Sequence, residues 1–327
     1  MARVGIIGRG WGERSQAPNF RDAGLEISAI TGHADWQKAI ESEADVISIV
    51  TPPSTHVEIA IAALEAGKHV ICEKPTALNA TEAQRLVDAA RGHPKRIAII
   101  DHELRLLPSF RAARERIAQI GTIRYAEARY ASPSRGDRSR PWNWWSDASQ
   151  GGGVWGAVGS HFIDALRYLG FEIEAVQAVL ATIIGERSGK KVTSDDFAAV
   201  HLRLRGGALA AMTFSAVASG PDEPTVLTVH GESGAFRLTG EELLFAPPRA
   251  AFTRVAGGDL QPRPGNSPGG AFGSGTYYLG LALKRALDDG DRAALSPAAT
   301  FEDGLIQQRV LDAARRSHRA GGRWEQI

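Results

Sequence analysis

The chain has 327 residues, of which 43% are hydrophobic and 23% charged, with a formal net charge of +1. That length suits two domains with cores of their own. The balanced charge gives no field to draw nucleic acid or an anionic membrane, no run approaches the ~18 apolar residues of a membrane span, and the single cysteine, Cys72, excludes an internal disulfide.

The first strand, Val4–Ile7, starts almost at once, with no basic segment and long apolar run ahead of it. A cytoplasmic location is therefore expected, where a lone thiol stays reduced. Further short runs rich in Val and Ile follow at Leu25–Ile30, Val46–Val50, His69–Ile71 and Ile97–Ile100. Such runs read as strands of a parallel sheet buried on both faces. Between them lie segments of helical period at Trp11–Ala23, Trp36–Ser42, His56–Ala66, Thr81–Arg91 and Phe110–Gln119. Repeated strand–helix–strand units predict a Rossmann-type, doubly wound α/β domain over residues 1–120. The link from Ile30 to Val46 has room for one helix and no strand, so one edge of the sheet should be trimmed.

After Gly121 the texture changes. Strands are predicted at Ile123–Tyr130, Ala175–Thr182, Phe197–Leu204, Ala208–Ser215, Val226–His230 and Ala235–Leu238. Several alternate apolar with polar residues, and Gly206-Gly207 signals a hairpin turn. Residues 121–327 thus read as a second α/β domain with an open, mostly antiparallel sheet covered on one face. A helix is expected at Phe162–Leu169, a loop over the Pro/Gly-rich stretch Pro262–Gly275, and closing helices at Tyr277–Asp288 and Phe301–His318, the last packing back on the first domain. The basic stretch Arg135, Arg138 and Arg140 reads as a solvated loop, and no spacing of His, Cys and carboxylates suggests a metal site.

The sharpest local motif is Gly8-Arg9-Gly10-Trp11-Gly12, placed after a buried strand and opening a helix. Gly8 permits a tight turn, and Gly10 lets the backbone approach a pyrophosphate that rests on the helix N–H groups. The dinucleotide fingerprint places its third small residue where this chain has Glu13, so looser helix–strand packing is expected. The second strand ends in Thr31-Gly32-His33, without a carboxylate to bind a ribose hydroxyl and repel a 2′-phosphate. The cofactor expected is NAD(P), with a lean to NADP and with His33 or Arg9 beside the 2′-phosphate.

Together, Gly8-Arg9-Gly10, Thr51-Pro52-Pro53-Ser54-Thr55-His56, Glu73-Lys74-Pro75 and Gly151-Gly152-Gly153 with His161 and Asp164 resemble the Gfo/Idh/MocA oxidoreductases. The resemblance implies hydride transfer between a nicotinamide and a hydroxyl-bearing carbon of a sugar, inositol or related polyol. It implies dimers or tetramers built through the second sheet. It places Thr51, Pro52 and Pro53 beside the cofactor, with Glu73 holding the site together and hydrogen-bonding the cofactor; His56, in the first turn of the next helix, is either a further cofactor contact or a capping and packing residue. The bond before Pro75 is often cis in this family. Lys74 is the residue expected to stabilise or relay the proton of a substrate hydroxyl. His161 is the candidate acid/base, and Asp164 orients its neighbours. Arg105 and the tryptophans Trp144 and Trp145 are substrate-side candidates, the tryptophans as a stacking face for a sugar or the nicotinamide, as a hydrophobic lid or as a subunit contact.

One position departs from the family pattern. Ala157 stands where many of its dehydrogenases carry Asp, four residues before the His. A methyl group cannot bind a substrate hydroxyl or orient Lys74. The readings that follow are proton chemistry by Lys74 and His161 alone, a different substrate, a non-catalytic nucleotide-binding sensor or scaffold, or an enzyme that uses the nicotinamide transiently in glycoside elimination or hydrolysis.

Overall fold

A computed structural model describes residues 1–223, 225–256, 263–265 and 267–327. The chain forms two compact units. The first comprises Met1–Leu107 and the described part of Leu260–Ile306; the second comprises Pro108–Asp259, where described, and Gln307–Ile327. The units interleave along the chain, so a single cut near residue 120 follows sequence texture and not packing.

In the first unit, β1 (Arg3–Ile7), β2 (Glu26–Thr31), β3 (Val46–Ile49), β4 (His69–Cys72) and β5 (Ala98–Ile100) form a parallel sheet in the order β5-β4-β3-β1-β2. Ala299–Thr300 adds a short antiparallel edge beside β5. Successive residues of a strand point to opposite faces, and the cores show it. Ile7, Ile47, Val70 and Cys72 join one cluster under the helices His56–Glu65 and Ala80–Gly92. Ile6, Val46 and Ile71 join the other, with Phe20, Leu279 and Leu283. Burying such a side chain contributes roughly 1.5–3 kcal/mol, so both layers hold the sheet.

Two expectations need correction here. Burial on both faces holds for β3 and β4, but β2 alternates between exposed and covered residues. It is the edge strand, left uncovered where the trimmed link ends the sheet. The glycine-rich stretch read as a loop to Gly275 becomes a helix at Gly270 and continues to Asp288; Pro262 and Asn266 lie outside the described residues. Its glycines are points of close approach. A Cβ on Gly273 would fall 2.1 Å from the Pro268 carbonyl oxygen, on Gly275 2.7 Å from that of Glu103, and on Gly280 2.7 Å from the Ala23 methyl. This penultimate helix closes the second face of the first unit. The last helix, Phe301–Arg319, begins in the first unit and belongs from Gln307 onward to the second.

The second unit is built on a nine-stranded sheet. Its central pair, Ile123–Ala131 and Leu209–Ser215, is parallel, and the other pairs are antiparallel. Leu209–Ser215 alternates exposed and buried side chains, the mark of a sheet covered on one face. Phe214 from that strand meets Phe162 at 5.2 Å and Trp155 at 6.0 Å between ring centroids. Tyr125, Val179 and Leu209 remain exposed. Among the described residues no helix is long and apolar enough to cross a membrane.

Candidate active site

The glycine turn connects β1 to a helix that runs from Gly12 to Asp22 and opens on a wide turn over Gly12–Gln16. Gly8 has φ of +137°, and a Cβ there would fall 2.2 Å from the Val50 carbonyl oxygen. Its N–H donates to the Thr31 carbonyl, which fastens the turn to β2. Gly12 is buried, and a Cβ on it would meet Ile6 at 2.7 Å and Val50 at 3.2 Å. Helix and strand are therefore tightly packed, contrary to the expectation from Glu13. Gly12 serves as the small packing residue, and Glu13 points to solvent. Gly10 differs from both: nothing lies within 4 Å of the Cβ it lacks. That open space over a helix start is the seat a pyrophosphate needs, so the turn fits a dinucleotide. Arg9, Trp11 and His33 are exposed around it, and Arg9 Nε lies 4.0 Å from where a Gly32 Cβ would stand. Asp35, the first carboxylate after β2, accepts from the Gly32 N–H at 3.0 Å.

Thr51 and Pro53 are buried and Pro52 partly so, at the carboxyl end of β3, the end where open α/β sheets bind ligands. His56 has no exposed surface. Its Nδ1 faces the Pro75 carbonyl at 3.1 Å and its Nε2 the Thr51 carbonyl at 2.9 Å. Burial pushes its pKa down to about 4, against the pull of those carbonyls. A neutral ring carries one N–H, so it donates to one carbonyl at a time. His56 thus pins the loop after β3 to the loop after β4 and has no surface left for a cofactor.

Glu73, Lys74 and Pro75 leave β4, and the Lys74–Pro75 bond is cis. Glu73 Oε2 accepts from the Lys74 N–H at 3.2 Å. Gln16, Ser48 and Asp101, not singled out from the sequence, complete this part of the site together with Glu103. Gln16 Nε2 donates to Glu73 Oε1 at 3.1 Å and to Asp101 Oδ2 at 2.7 Å, while Gln16 Oε1 accepts from the Ser48 hydroxyl at 2.6 Å. Burial raises the Asp101 carboxyl well above the usual range; the Glu73 charge adds to this and the Lys74 ammonium opposes it. Glu73 is raised by burial against the same ammonium. Glu103 is raised by burial and then by its two carboxyl neighbours. A polar signal was available, because Ser48 stands inside the fully buried strand β3, where a hydroxyl requires a partner. Arg105 is turned inward: it is buried and pairs with Asp303 at 3.2 Å, so it does not present its guanidinium at a surface.

In the second unit, the helix bearing His161 and Asp164 also opens on a wide turn, Trp155–Gly159, before Ser160–Tyr168. Both side chains are buried. The glycines before it serve the unit's own packing. A Cβ on Gly152 would fall 2.5 Å from the Trp145 carbonyl oxygen, and one on Gly153 2.4 Å from Asp195 Oδ1. Asp195, missed from the sequence, accepts from the Trp155 N–H at 2.7 Å and caps that helix. Trp144 and Trp145 are partly exposed. The Trp145 ring carries the Arg135 guanidinium 4.3 Å from its centroid, so its face is already stacked on a cation.

Residues 2–101 match the oxidoreductase family with an NAD-binding Rossmann fold, and residues 110–237 match the GFO/IDH/MocA C-terminal domain. A curated relative, glucose-fructose oxidoreductase domain-containing protein 2 of Xenopus laevis, is 31% identical over 97% of this chain and 86% of its own. The chain belongs to the Gfo/Idh/MocA family. Among solved structures, a levoglucosan dehydrogenase in complex with NADH and levoglucosan superposes with a TM-score of 0.86 at 26% identity, covering 100% of this chain and 99% of that one. An oxidoreductase domain protein from Kribbella flavida gives 0.85 at 26%, covering 100% of both chains. The first unit of this Gfo/Idh/MocA protein is accordingly an NAD-binding oxidoreductase fold.

The three glycines of the turn predict three different outcomes. Gly8→Ala is expected to fold poorly, because a β-carbon there is strained by φ and collides with backbone. Gly12→Ala should lose about 1–3 kcal/mol of unfolding free energy through overpacking. Gly10→Ala should melt like wild type yet bind NADH at least about tenfold more weakly, since its methyl enters the phosphate seat. Thermal melts and calorimetric titration separate these cases, and unchanged affinity in Gly10→Ala removes the seat from the argument.

Asp195 gives a pH test. Burial raises its carboxyl to about 6 from 3.8. The folded pKa is the higher one, so this group's contribution to stability is present in full below about pH 4 and is lost as pH rises through about 6. The loss amounts to about 3 kcal/mol. Asp195→Asn keeps an acceptor for the Trp155 N–H and cannot titrate. Denaturant unfolding at pH 4 and pH 7 should show wild type falling relative to the variant by that amount; parallel curves would count against the buried acid.

Proposed function

We propose that this chain is a cytoplasmic NAD(P)-dependent dehydrogenase or reductase acting on a sugar-like or cyclic polyol, as alcohol or as carbonyl. The observation that carries the reading is the placement of Lys74, directly after β4 and facing three carboxyl groups, of which Asp101 and Glu103 are buried, in the unit that holds the open seat over Gly10. The relative solved with NADH and levoglucosan supports the substrate class.

The cofactor would rest on the amides of the Gly8–Gly12 turn, flanked by Arg9 and Trp11, with Thr51, Pro52, Pro53, Glu73 and Lys74 toward its other end. When bound, the nicotinamide gives or takes the hydride. The Lys74 ammonium stabilises the alkoxide that forms or is consumed at the substrate oxygen, and it moves the proton there. His161 is the second proton-handling group and Asp164 its orienting neighbour. With Ala157 in the family's Asp position, Lys74 takes its electrostatic setting from Glu73, Asp101 and Glu103 of its own unit. A preference for NADP(H) is part of the proposal and rests on Arg9 and His33 at the end of β2, since the relative cited carries NADH.

A panel of polyols and their carbonyl forms, run with both cofactors in both directions, tests this. Wild type should turn over at least one member, with the lower KM for the phosphorylated cofactor, and Lys74→Ala should lose about 10²-fold or more in kcat. Turnover that survives the substitution would take Lys74 out of the mechanism. Cofactor binding with no turnover on any member would favour a sensor or scaffold, and product formed with no net change in cofactor redox state would favour elimination or hydrolysis.

We also propose a homodimer or homotetramer assembled through the open face of the nine-stranded sheet. Tyr125, Val179 and Leu209 are 43%, 53% and 50% exposed on its strands, and apolar side chains left bare on a sheet mark an interaction face. Sedimentation should show an assembly that Val179→Lys with Leu209→Lys dissociates; a monomeric wild type would sink the proposal.

A further inference from the structure

Lys74 faces three carboxyl groups, and the way two of them are held carries an inference that rests on the function proposed above. Gln16 fixes the geometry. Its Oε1 accepts from the Ser48 hydroxyl at 2.6 Å, so the nitrogen is the end that faces the carboxyls. The two hydrogens on that nitrogen go to Glu73 Oε1 at 3.1 Å and Asp101 Oδ2 at 2.7 Å. Two carboxyls on one amide nitrogen stand no further apart than two hydrogen bonds, about 6 Å between oxygens. Asp101 is 1% exposed, and its Oδ1 is buried without a hydrogen-bond partner. A second ionised carboxylate in that place would put like charges side by side with an oxygen nothing solvates. A neutral acid in one of the two positions removes both costs.

We infer that Glu73 and Asp101 hold one proton between them at neutral pH, and that Asp101 is thereby a positioning residue for Lys74, keeping the charge facing the ammonium at minus one. The charge count governs the proton step. Against a single negative charge, Lys74 exchanges its proton with a substrate oxygen without leaving two anions behind. The other groups facing Asp101 do not change the count. Burial holds the Cys72 thiol well above its usual range, and burial together with Asp101 and Glu73 pushes Glu103 toward its neutral acid. His56, on which Lys74 also acts, is held neutral by its burial.

Infrared difference spectroscopy on the full chain reads the shared proton without any substrate. Wild type at pH 7 should show, beside any acid band of Glu103, a carbonyl component of a protonated carboxylic acid that Asp101→Asn removes, because the asparagine leaves Glu73 alone and ionised. Glu73→Gln, which breaks the pair from its other side, should abolish the same band, and Glu103→Gln should leave it in place. An acid band undiminished in both pair variants overturns the inference. The pH profile of kcat/KM gives a second reading that a merely structural role would not move. At high pH the wild-type pair ionises fully and holds the facing ammonium more strongly, so in Asp101→Asn the high-pH limb of the profile should lie at least about one pH unit lower. Superimposable profiles also overturn the inference. Turnover without the band would sink the shared proton alone, whereas the band without turnover would sink the proposed reaction alone.

Discussion

One amide side chain organises the first unit's chemistry. Gln16 leaves the helix that follows the glycine turn and reaches Ser48 in β3, Glu73 after β4 and Asp101 after β5. The turn that would seat a phosphate and the strand end that carries Lys74 are therefore fixed to the same group. The arrangement works only because the helix lies close to the sheet, and that closeness is set at Gly12 against Ile6 and Val50. A larger residue there would lift the helix and break the contact of Gln16 with its three partners. Packing at one glycine thus decides electrostatics several residues further along the chain.

The second unit solves a similar problem with a different donor and acceptor. Its motif helix also begins on a wide turn, and there a buried carboxylate, Asp195, receives the first N–H. The glycines ahead of it let that carboxylate and the Trp144 and Trp145 carbonyls come close. In the first unit the corresponding N-terminus is left to face open space at Gly10. A helix start that is already capped has little left for an anion, while an uncapped one keeps its N–H groups free to bind. By this criterion the dinucleotide belongs to the first unit.

Much of this was legible in the residues. Short Val- and Ile-rich runs gave the parallel strands, because a strand covered on both faces has no room for polar alternation. The same rule misread β2, whose composition resembles the others but whose place at the sheet edge leaves it half covered. The helix over Gly270–Asp288 was hidden because its glycines look like loop formers, and their purpose becomes visible only when Pro268, Glu103 and Ala23 are seen against them. Short pairing strands such as Leu243–Ala246 and Glu325–Gln326 carry too few residues to show a period. In the site, Lys74 and Glu73 stood in a recognisable motif. Gln16 and Asp101 did not, since their meaning lies in a contact between residues 85 positions apart. His56 and Arg105 were polar residues in promising loops that proved to be internal ties.

The return of the penultimate helix has an evolutionary corollary. Phe20, Val46 and Ile71 are covered in part by Leu279 and Leu283, which are encoded more than two hundred positions later. A gene fragment ending after the fifth strand would yield a sheet with one flank bare to water. The nucleotide-binding half is therefore no portable cassette, and recombination could graft it elsewhere only by carrying along a distant stretch of the coding sequence.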